Sequence, residues 1–400
     1  MHVLMIAPQP FFQPRGTPFS VLHRLNALSR LGYEVDLLTY HIGQNIDMDG
    51  VTIHRIWKVP FVKQIAIGPS KSKVLLDIFL IIKTVLMLRH RRYDLIHSHE
   101  EAGFWTAYLA RKYKVAHLYD MHSSLPQQLH NFQFTKMRWL FRLFEKLENY
   151  TIESADAIIT ICPELFNHVK KIKPNKFNCL IENVADNAAV FKKDVDVRSI
   201  KQQIRTNGEV AILYTGTFEP YQGLDLLIDS SVEVVKQCPR ARYVLVGGKP
   251  EQVRHYRKKV AELKIEEHYA FTGMVEPEAI PVFIDNCDVL VSPRVEGNNT
   301  PLKIYSYLRS GKPIVATNHL THTQVLNADV SVLTECTPEA FGAGVLSVIA
   351  DTKKSKKLSE SARVLAEKKY SYDVYLRKTR EVYAFLEKKI KAEGSDACVA

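Results

Sequence analysis

Segment 289–317 reads VLVSPRVEGNNTPLKIYSYLRSGKPIVAT. Its opening apolar run gives a buried strand, and the polar stretch that follows gives a loop. Thr300 is placed to cap a helix, and Pro301 to be that helix's first residue. Lys303 then falls in the first turn, where a cation opposes the helix dipole at a cost of about 0.3 kcal/mol. The same lysine becomes favourable when an anion sits on the free N–H groups of the turn. Loop, cap and misplaced lysine together point to a phosphate site, against the plainer reading of a solvated lysine.

Other chemistry-bearing residues are weaker signals. His97 and His99 sit two apart at a strand end, beside Glu100 and Glu101. A third metal ligand is not evident from spacing, so they read as a polar lining. The two Asp-X-Asp pairs, 47–49 and 194–196, lie in a polar turn and a linker and read as structural. Cys162, Cys179, Cys238, Cys287, Cys336 and Cys398 contain no Cys-X-X-Cys pair. This spacing argues against a disulfide framework or a zinc site and fits a reducing compartment. The opening MHVLMIAPQP lacks a basic leader and reads as a strand, so no export and a cytoplasmic location are expected.

The elements that must hold these residues alternate. Strands are expected at 2–7, 34–39, 51–56, 94–97, 116–119, 157–161 and 177–181, and helices at 17–31, 71–90, 103–112 and 135–152. After a polar linker at 182–201 the pattern restarts. Strands are expected at 210–214, 243–246, 269–271, 289–291 and 314–316, and helices at 224–236, 250–263, 277–285, 302–309, 338–350, 354–368 and 371–392. Buried strands alternating with helices imply parallel sheets covered on both faces. With 400 residues, two domains are expected. Ligands of such sheets bind beyond the C-terminal strand ends, so the chemistry should line a cleft between the domains.

Charge is uneven. The chain carries a formal +11, and 55–146 alone accounts for +10. Such an excess attracts an anionic surface. No nucleic-acid motif accompanies it, and the basic residues lie among amphipathic helices, so a membrane surface is the expected partner, not nucleic acid. The helix at 135–152 pairs Arg138 and Arg142 with Met137, Trp139, Leu140, Phe141 and Phe144, the mixture of an interfacial helix. The apolar stretch 74–88 is too short to span a bilayer.

Several motifs in order resemble the retaining GT-B glycosyltransferases of family 4: Pro14-Arg-Gly-Thr17, Tyr93-Asp-Leu-Ile-His-Ser-His99, Tyr119-Asp-Met-His122, Asn183-Val-Ala-Asp186, Tyr214-Thr-Gly-Thr-Phe-Glu-Pro-Tyr-Gln-Gly223, Val246-Gly-Gly248 and the 289–317 run. The resemblance covers nearly the whole chain. It implies an α/β GT-B fold of two Rossmann-like, doubly wound domains facing across a cleft. Residues 1–185 would form the acceptor-binding domain and 186–370 the nucleotide-sugar-binding domain. In 371–400 a helix would return to the N-terminal domain, followed by a tail.

The implied activity is metal-independent transfer from a nucleotide-diphosphate sugar to a glycan or lipid-linked acceptor, with no cofactor beyond that co-substrate. By resemblance, Glu296 contacts the transferred sugar and His122 lies near sugar and acceptor. Gly16 lets the first loop approach the donor phosphates. Arg294, Gly297, Asn298, Asn299, Thr300 and Lys303 would hold the diphosphate, and Gly273, Met274 and Val275 the base. Arg15, His99 and Glu100 would face the acceptor.

The chain departs from the family pattern at two places. Thr217 and Gln222 stand where an arginine and a lysine clamp the phosphates. Ser306, or Ile304 by the other count, stands where a glutamate holds the ribose. These departures motivate a rival reading, a non-catalytic nucleotide-sugar or glycan-binding relative. A dehydrogenase would need a Gly-X-Gly-X-X-Gly after a strand, and neither half has one.

Overall fold

The computed structural model describes residues 1–13, 16–62, 65, 70–126, 137–184, 195–204 and 208–396. They divide into two compact units: Met1–Glu182 with Tyr375–Ala400 as unit 1, and Asn183–Val374 as unit 2.

Unit 1 runs β1 (His2–Ala7), α1 (Gly16–Arg30), β2 (Glu34–Thr39), β3 (Val51–Arg55), α2 (Lys71–His90), β4 (Leu95–His99), α3 (Ala102–Tyr113), β5 (Ala116–Met121), α4 (Arg138–Ser154), β6 (Ala157–Thr160), α5 (Pro163–Ile172) and β7 (Asn178–Leu180). Its seven strands are ordered β3-β2-β1-β4-β5-β6-β7, and all pairs are parallel. β1, β4 and β5 are almost entirely buried because helices cover both faces. Leu4, Ile6 and Ile96 pack with Leu76, Leu80 and Leu109 in one core layer.

Unit 2 runs α6 (Val197–Ile204), β8 (Val210–Thr215), α7 (Leu224–Gln237), β9 (Ala241–Val246), α8 (Pro250–Glu262), β10 (Tyr269–Gly273), α9 (Ala279–Asp285), β11 (Val289–Ser292), α10 (Lys303–Arg309), β12 (Ile314–Thr317), α11 (Leu320–Thr323), β13 (Val332–Thr334), α12 (Pro338–Ala350) and α13 (Thr352–Tyr370). Its parallel sheet has the order β10-β9-β8-β11-β12-β13. The last helix, α14 (Tyr372–Asp396), belongs to unit 1 from Tyr375 onward.

Both sheets reverse direction beside their first strand. β1 lies between β2 and β4, and β8 lies between β9 and β11. Loops leaving two adjacent strands diverge at such a point and open a crevice at the carboxyl ends. The exits of β8 and β11 are therefore neighbours, as are the exits of β1 and β4.

Several expectations need correction. The segment read as a linker holds α6, whose Ile200 and Ile204 enter the unit 2 core. Helical spacing of Val197, Ile200 and Ile204 overrides the polar composition around them. Asp196 of the second Asp-X-Asp pair accepts a hydrogen bond from Ser199 N at 3.1 Å, a helix-capping contact; Asp194 lies outside the described residues. The strand expected at 94–97 is Leu95–His99, so both histidines lie within it. Helix α5 and strand β13 had no expectation. The expected start of the helix at 135 lies outside the described residues, and α4 is assigned from Arg138.

Thr300 does not cap the following helix. α10 begins at Lys303 with Leu302 at the cap position, and Thr300 is buried. Pro301 still opens the turn, since its carbonyl accepts from Ile304 N at 3.0 Å. Met137, just before α4, and Trp139 on it do not join the packed face: they are exposed with Arg138 and Arg142, while Leu140, Phe141 and Phe144 are half-buried.

Candidate active site

At the switch point of unit 2, three glycines let the backbone close up. Gly216 N donates to Val246 O at 2.9 Å, and Gly247 N donates to Gly273 O at 2.8 Å. Gly216, Gly247 and Gly273 have φ of 140°, 123° and 71°. A Cβ on Gly247 would collide with the Gly216 carbonyl, so no larger residue fits there. Gly273 thereby stands next to the β9 exit, whereas the side chain of Met274 is exposed.

Lys303, the first residue of α10, reaches back under this turn. Its Nζ lies 3.7 Å from the centre of the Tyr214 ring. A Cβ on Gly216 would be 3.4 Å from the same Nζ. The stem of Lys303 is half-buried, but the ammonium itself is buried, and among the described residues it has no hydrogen-bond partner. Burial holds it well below the ordinary lysine value, and the nearby Arg294 guanidinium adds to that shift. A desolvated ammonium beside a second cation is unfavourable unless something anionic joins them.

The β8 loop and the β11 loop meet around Lys303. Tyr214 Oη donates to Thr217 O at 2.7 Å, and Gln222 Nε2 donates to Thr217 Oγ1 at 3.3 Å. Gln222 Oε1 and Thr300 Oγ1 are buried with no described partner. Arg294 Nε donates to Glu296 O at 2.8 Å, and its guanidinium lies 5.0 Å from the centre of the Tyr221 ring. Gly297 has φ 105°, and a Cβ there would come within 2.5 Å of the Arg294 guanidinium. The Asn298 carbonyl accepts from Gln324 Nε2 at 2.6 Å, which ties the loop to the segment after α11. The Glu296 side chain is exposed. Thr217, Gln222, Arg294, Glu296, Gly297 and Lys303 thus share one crevice. Val275, Asn299 and Ser306 are half-buried on the flanking segments. Ile304 is fully buried in the core, so it offers nothing to a ligand.

In unit 1 a second polar cluster occupies the carboxyl ends of β4 and β5. His99 pairs in register with Asp120, which puts His97, His99, Asp120 and His122 on one side. Arg24 on α1 reaches Asp120 with Nε 2.9 Å from Oδ2, both side chains buried. Asp120 is held well below the usual carboxylate range: Arg24 and the surrounding imidazoles outweigh the burial that would raise it. Burial lowers His99 well below its ordinary value and His122 to about 4, so both rings are neutral. Glu100, with φ 50°, accepts from Thr17 Oγ1 at 3.1 Å and so joins the β4 exit to the start of α1. Gly16 opens that helix, with empty space where a Cβ would stand. It belongs to unit 1, whereas the other residues assigned to the donor belong to unit 2. Arg15 lies outside the described residues.

His97, His99 and Asp120 bring three donor atoms within 4.8 Å of one another. Sequence spacing did not reveal the third member, because Asp120 is on the next strand. Arg24 already occupies the Asp120 oxygen, and both ring nitrogens of His97 are engaged, Nδ1 by Tyr383 and Nε2 by Asp120. Arg24 and His97 thus take up Asp120 Oδ2, while Oδ1 has no hydrogen bond from the described residues.

Two family models match the chain: Glycosyltransferase Family 4 over residues 14–180, and Glycosyl transferases group 1 over residues 196–365. The chain is a group 1, family 4 glycosyltransferase. Its sheets and their topology form the GT-B fold. Sucrose-phosphate synthase from Thermosynechococcus elongatus superposes with a TM-score of 0.78 at 18% identity, covering 97% of this chain and 99% of that one. Anabaena HepE in complex with UDP-glucose superposes with a TM-score of 0.71 at 16% identity, covering 96% and 99%. Mannosylfructose-phosphate synthase of Agrobacterium fabrum is 25% identical over 335 residues, 76% of this chain and 71% of that protein.

In this glycosyltransferase, sequence reasoning passed over Arg24, Asp120, Tyr383, His319 and His322. Asp120 carried a signal, since it sits two residues before His122 and shares its strand face. Arg24 carried another, as a charge among the apolar positions of α1. His322 is buried between Ser292 Oγ at 2.8 Å and Thr317, and burial lowers it to about 3. It braces β11 against β12. Burial lowers half-buried His319, and the charges of Arg294 and Glu296 act on it in opposite directions.

Proposed function

We propose that this glycosyltransferase transfers a sugar from a nucleoside-diphosphate sugar held on unit 2 to a glycan or lipid-linked acceptor held on unit 1, with retention and without a metal. The carrying observation is Lys303, whose buried Nζ lies beside Arg294 with no described hydrogen-bond partner and is held well below the ordinary lysine value until an anion joins it. A diphosphate supplies that missing charge. As the bond from the anomeric carbon to the diphosphate oxygen breaks, negative charge grows on the leaving group. Lys303, Arg294 and the amides of the 297–300 loop are arranged to stabilise it. The acceptor oxygen bonds to the same carbon, and its proton leaves with the nucleoside diphosphate. Glu296 orients the sugar, and His122 meets a substrate hydroxyl. Thr217 and Gln222 contribute neutral hydrogen bonds, about half as strong as charged ones. HepE, seen with UDP-glucose, supports a nucleotide-sugar donor.

Calorimetry with UDP- and GDP-sugars, followed by turnover with candidate acceptors, tests this reading. Binding of one nucleotide series with transfer is the expected result. Binding without transfer to any acceptor favours a non-catalytic binding protein.

The charge of unit 1 supports a membrane-borne acceptor. On α4, Trp139 is 60% exposed beside Arg138, Arg142 and Leu143, and α2 exposes Val74, Ile78 and Ile82 along one stripe. Exposed aromatic and basic residues of this kind bind interfaces. No described helix is long and apolar enough to cross a membrane. Salt-sensitive co-sedimentation with anionic vesicles is expected at the inner-face lipid charge, and its absence removes this part of the proposal.

A further inference from the structure

The cluster in unit 1 constrains where its protons sit. Asp120 is a buried carboxylate whose Oδ2 accepts from Arg24 Nε at 2.9 Å. His97 Nε2 is 3.3 Å from the same oxygen, so that nitrogen must carry a hydrogen. His97 Nδ1 is then an acceptor, and Tyr383 on α14 donates to it at 2.8 Å. Tyr383 is fit for this, because burial pushes its phenol well above the usual range and keeps it protonated. On the same helix, Thr379 Oγ1 accepts from Arg24 Nη1 at 3.1 Å.

The other carboxylate oxygen decides His122. Asp120 Oδ1 is buried and has no hydrogen bond from the described residues. His122 Nε2 lies 3.4 Å from it. His122 Nε2 is also 2.8 Å from His99 Nδ1, so one hydrogen lies between the two rings. His99 Nδ1 itself is 3.8 Å from Oδ2, which two donors already share, so a hydrogen placed there would leave Oδ1 bare. On His122 Nε2 it faces both His99 and the undersatisfied Oδ1. A buried anion takes the donor it lacks.

We infer that Asp120 is a positioning residue that holds His122 in the Nε2–H tautomer, and that Tyr383 of the C-terminal helix completes the network which fixes Asp120. His122 Nδ1 is then the acceptor nitrogen, presented to a hydroxyl of sugar or acceptor. This role rests on the reading of His122 as a substrate-facing group. The tautomer itself does not.

The test is a multiple-bond ¹H–¹⁵N correlation spectrum of the imidazoles in the full ¹⁵N-labelled chain without sugar nucleotide, with His122→Ala assigning the resonance. The expected spectrum shows His122 protonated on Nε2 and bare on Nδ1. Asp120→Asn should convert it to a mixture of tautomers. Tyr383→Phe, which removes one hydroxyl and keeps the ring, should shift it partway. A wild-type His122 protonated on Nδ1 overturns the proposal, and this result needs no variant to fold. A tautomer unmoved in a folded Asp120→Asn also overturns it. If His122→Ala keeps its kcat while the tautomer is as stated, the substrate-facing reading fails and the network stands.

Discussion

Arg24 Nη1 donates to Thr379 Oγ1 at 3.1 Å across 355 positions of sequence, while its Nε holds Asp120. One guanidinium thus ties the first helix, the fifth strand and the last helix together. Breaking a buried pair by removing one partner costs about 3–5 kcal/mol. Arg24→Ala should therefore unfold at much lower urea than wild type, because Asp120 is left charged and unpaired. Arg24→Met with Asp120→Leu should recover most of the loss. A double variant no better than Arg24→Ala would show that packing, not charge, sets the cost.

Acid should weaken unit 1 before it titrates the carboxylates. Burial lowers His97, His99, His117 (to about 3) and His122 (to about 4) below the ordinary 6.5. Between those values the unfolded chain binds protons that the folded chain refuses, so stability falls as pH falls. Each histidine contributes up to about 1.4 kcal/mol per pH unit in that window. The depressed Asp120 acts differently: its contribution is complete above 3.8 and is lost only at lower pH. All three tryptophans, Trp57, Trp105 and Trp139, lie in unit 1, so their fluorescence reports it. The urea midpoint should drop clearly from pH 7.5 to pH 5, and a flat midpoint would contradict the buried neutral rings.

Donor binding should take up a proton. Free Lys303 is held low by burial and by Arg294, and a bound diphosphate must raise it again. Affinity is then greatest below the free value and declines as pH rises toward the bound one. Calorimetry of UDP in two buffers of different ionisation enthalpy measures the uptake. Lys303→Ala should abolish the uptake and weaken binding by about 1–3 kcal/mol. Equal heats in both buffers for wild type would remove the assignment of Lys303 to the diphosphate.

Glu296 should separate catalysis from stability. Its side chain is exposed, so Glu296→Gln should leave Tm within the small range of surface substitutions. A charged hydrogen bond to a sugar hydroxyl is worth about 1.5–3 kcal/mol, so kcat should fall roughly ten- to hundredfold. A kcat like wild type would place the sugar elsewhere.

Strands buried on both faces were legible where an apolar run fills them, as in β1 and β11. The crevice around segment 289–317 was legible through one oddity, a lysine at the wrong end of a helix. What held that lysine was not: Tyr214 lies 89 positions upstream, and its ring contact leaves no local pattern. Thr300 looked like a cap, yet its hydroxyl is drawn inward and α10 starts later. The Arg24–Asp120–Tyr383 network was hidden for the same reason, since each member comes from a separate element. Helix α6 escaped notice because two buried isoleucines, Ile200 and Ile204, were outnumbered by their polar neighbours.

Unit 1 is discontinuous, and Tyr383 arrives on its far side of the chain, after all of unit 2. On the ribosome, Asn183–Val374 emerges as one unbroken stretch and can collapse at once. The earlier half must wait, with His97 and Arg24 lacking their final partners, until translation has passed Tyr383. A ribosome stalled near Val374 would carry a finished unit 2 and an unfinished unit 1.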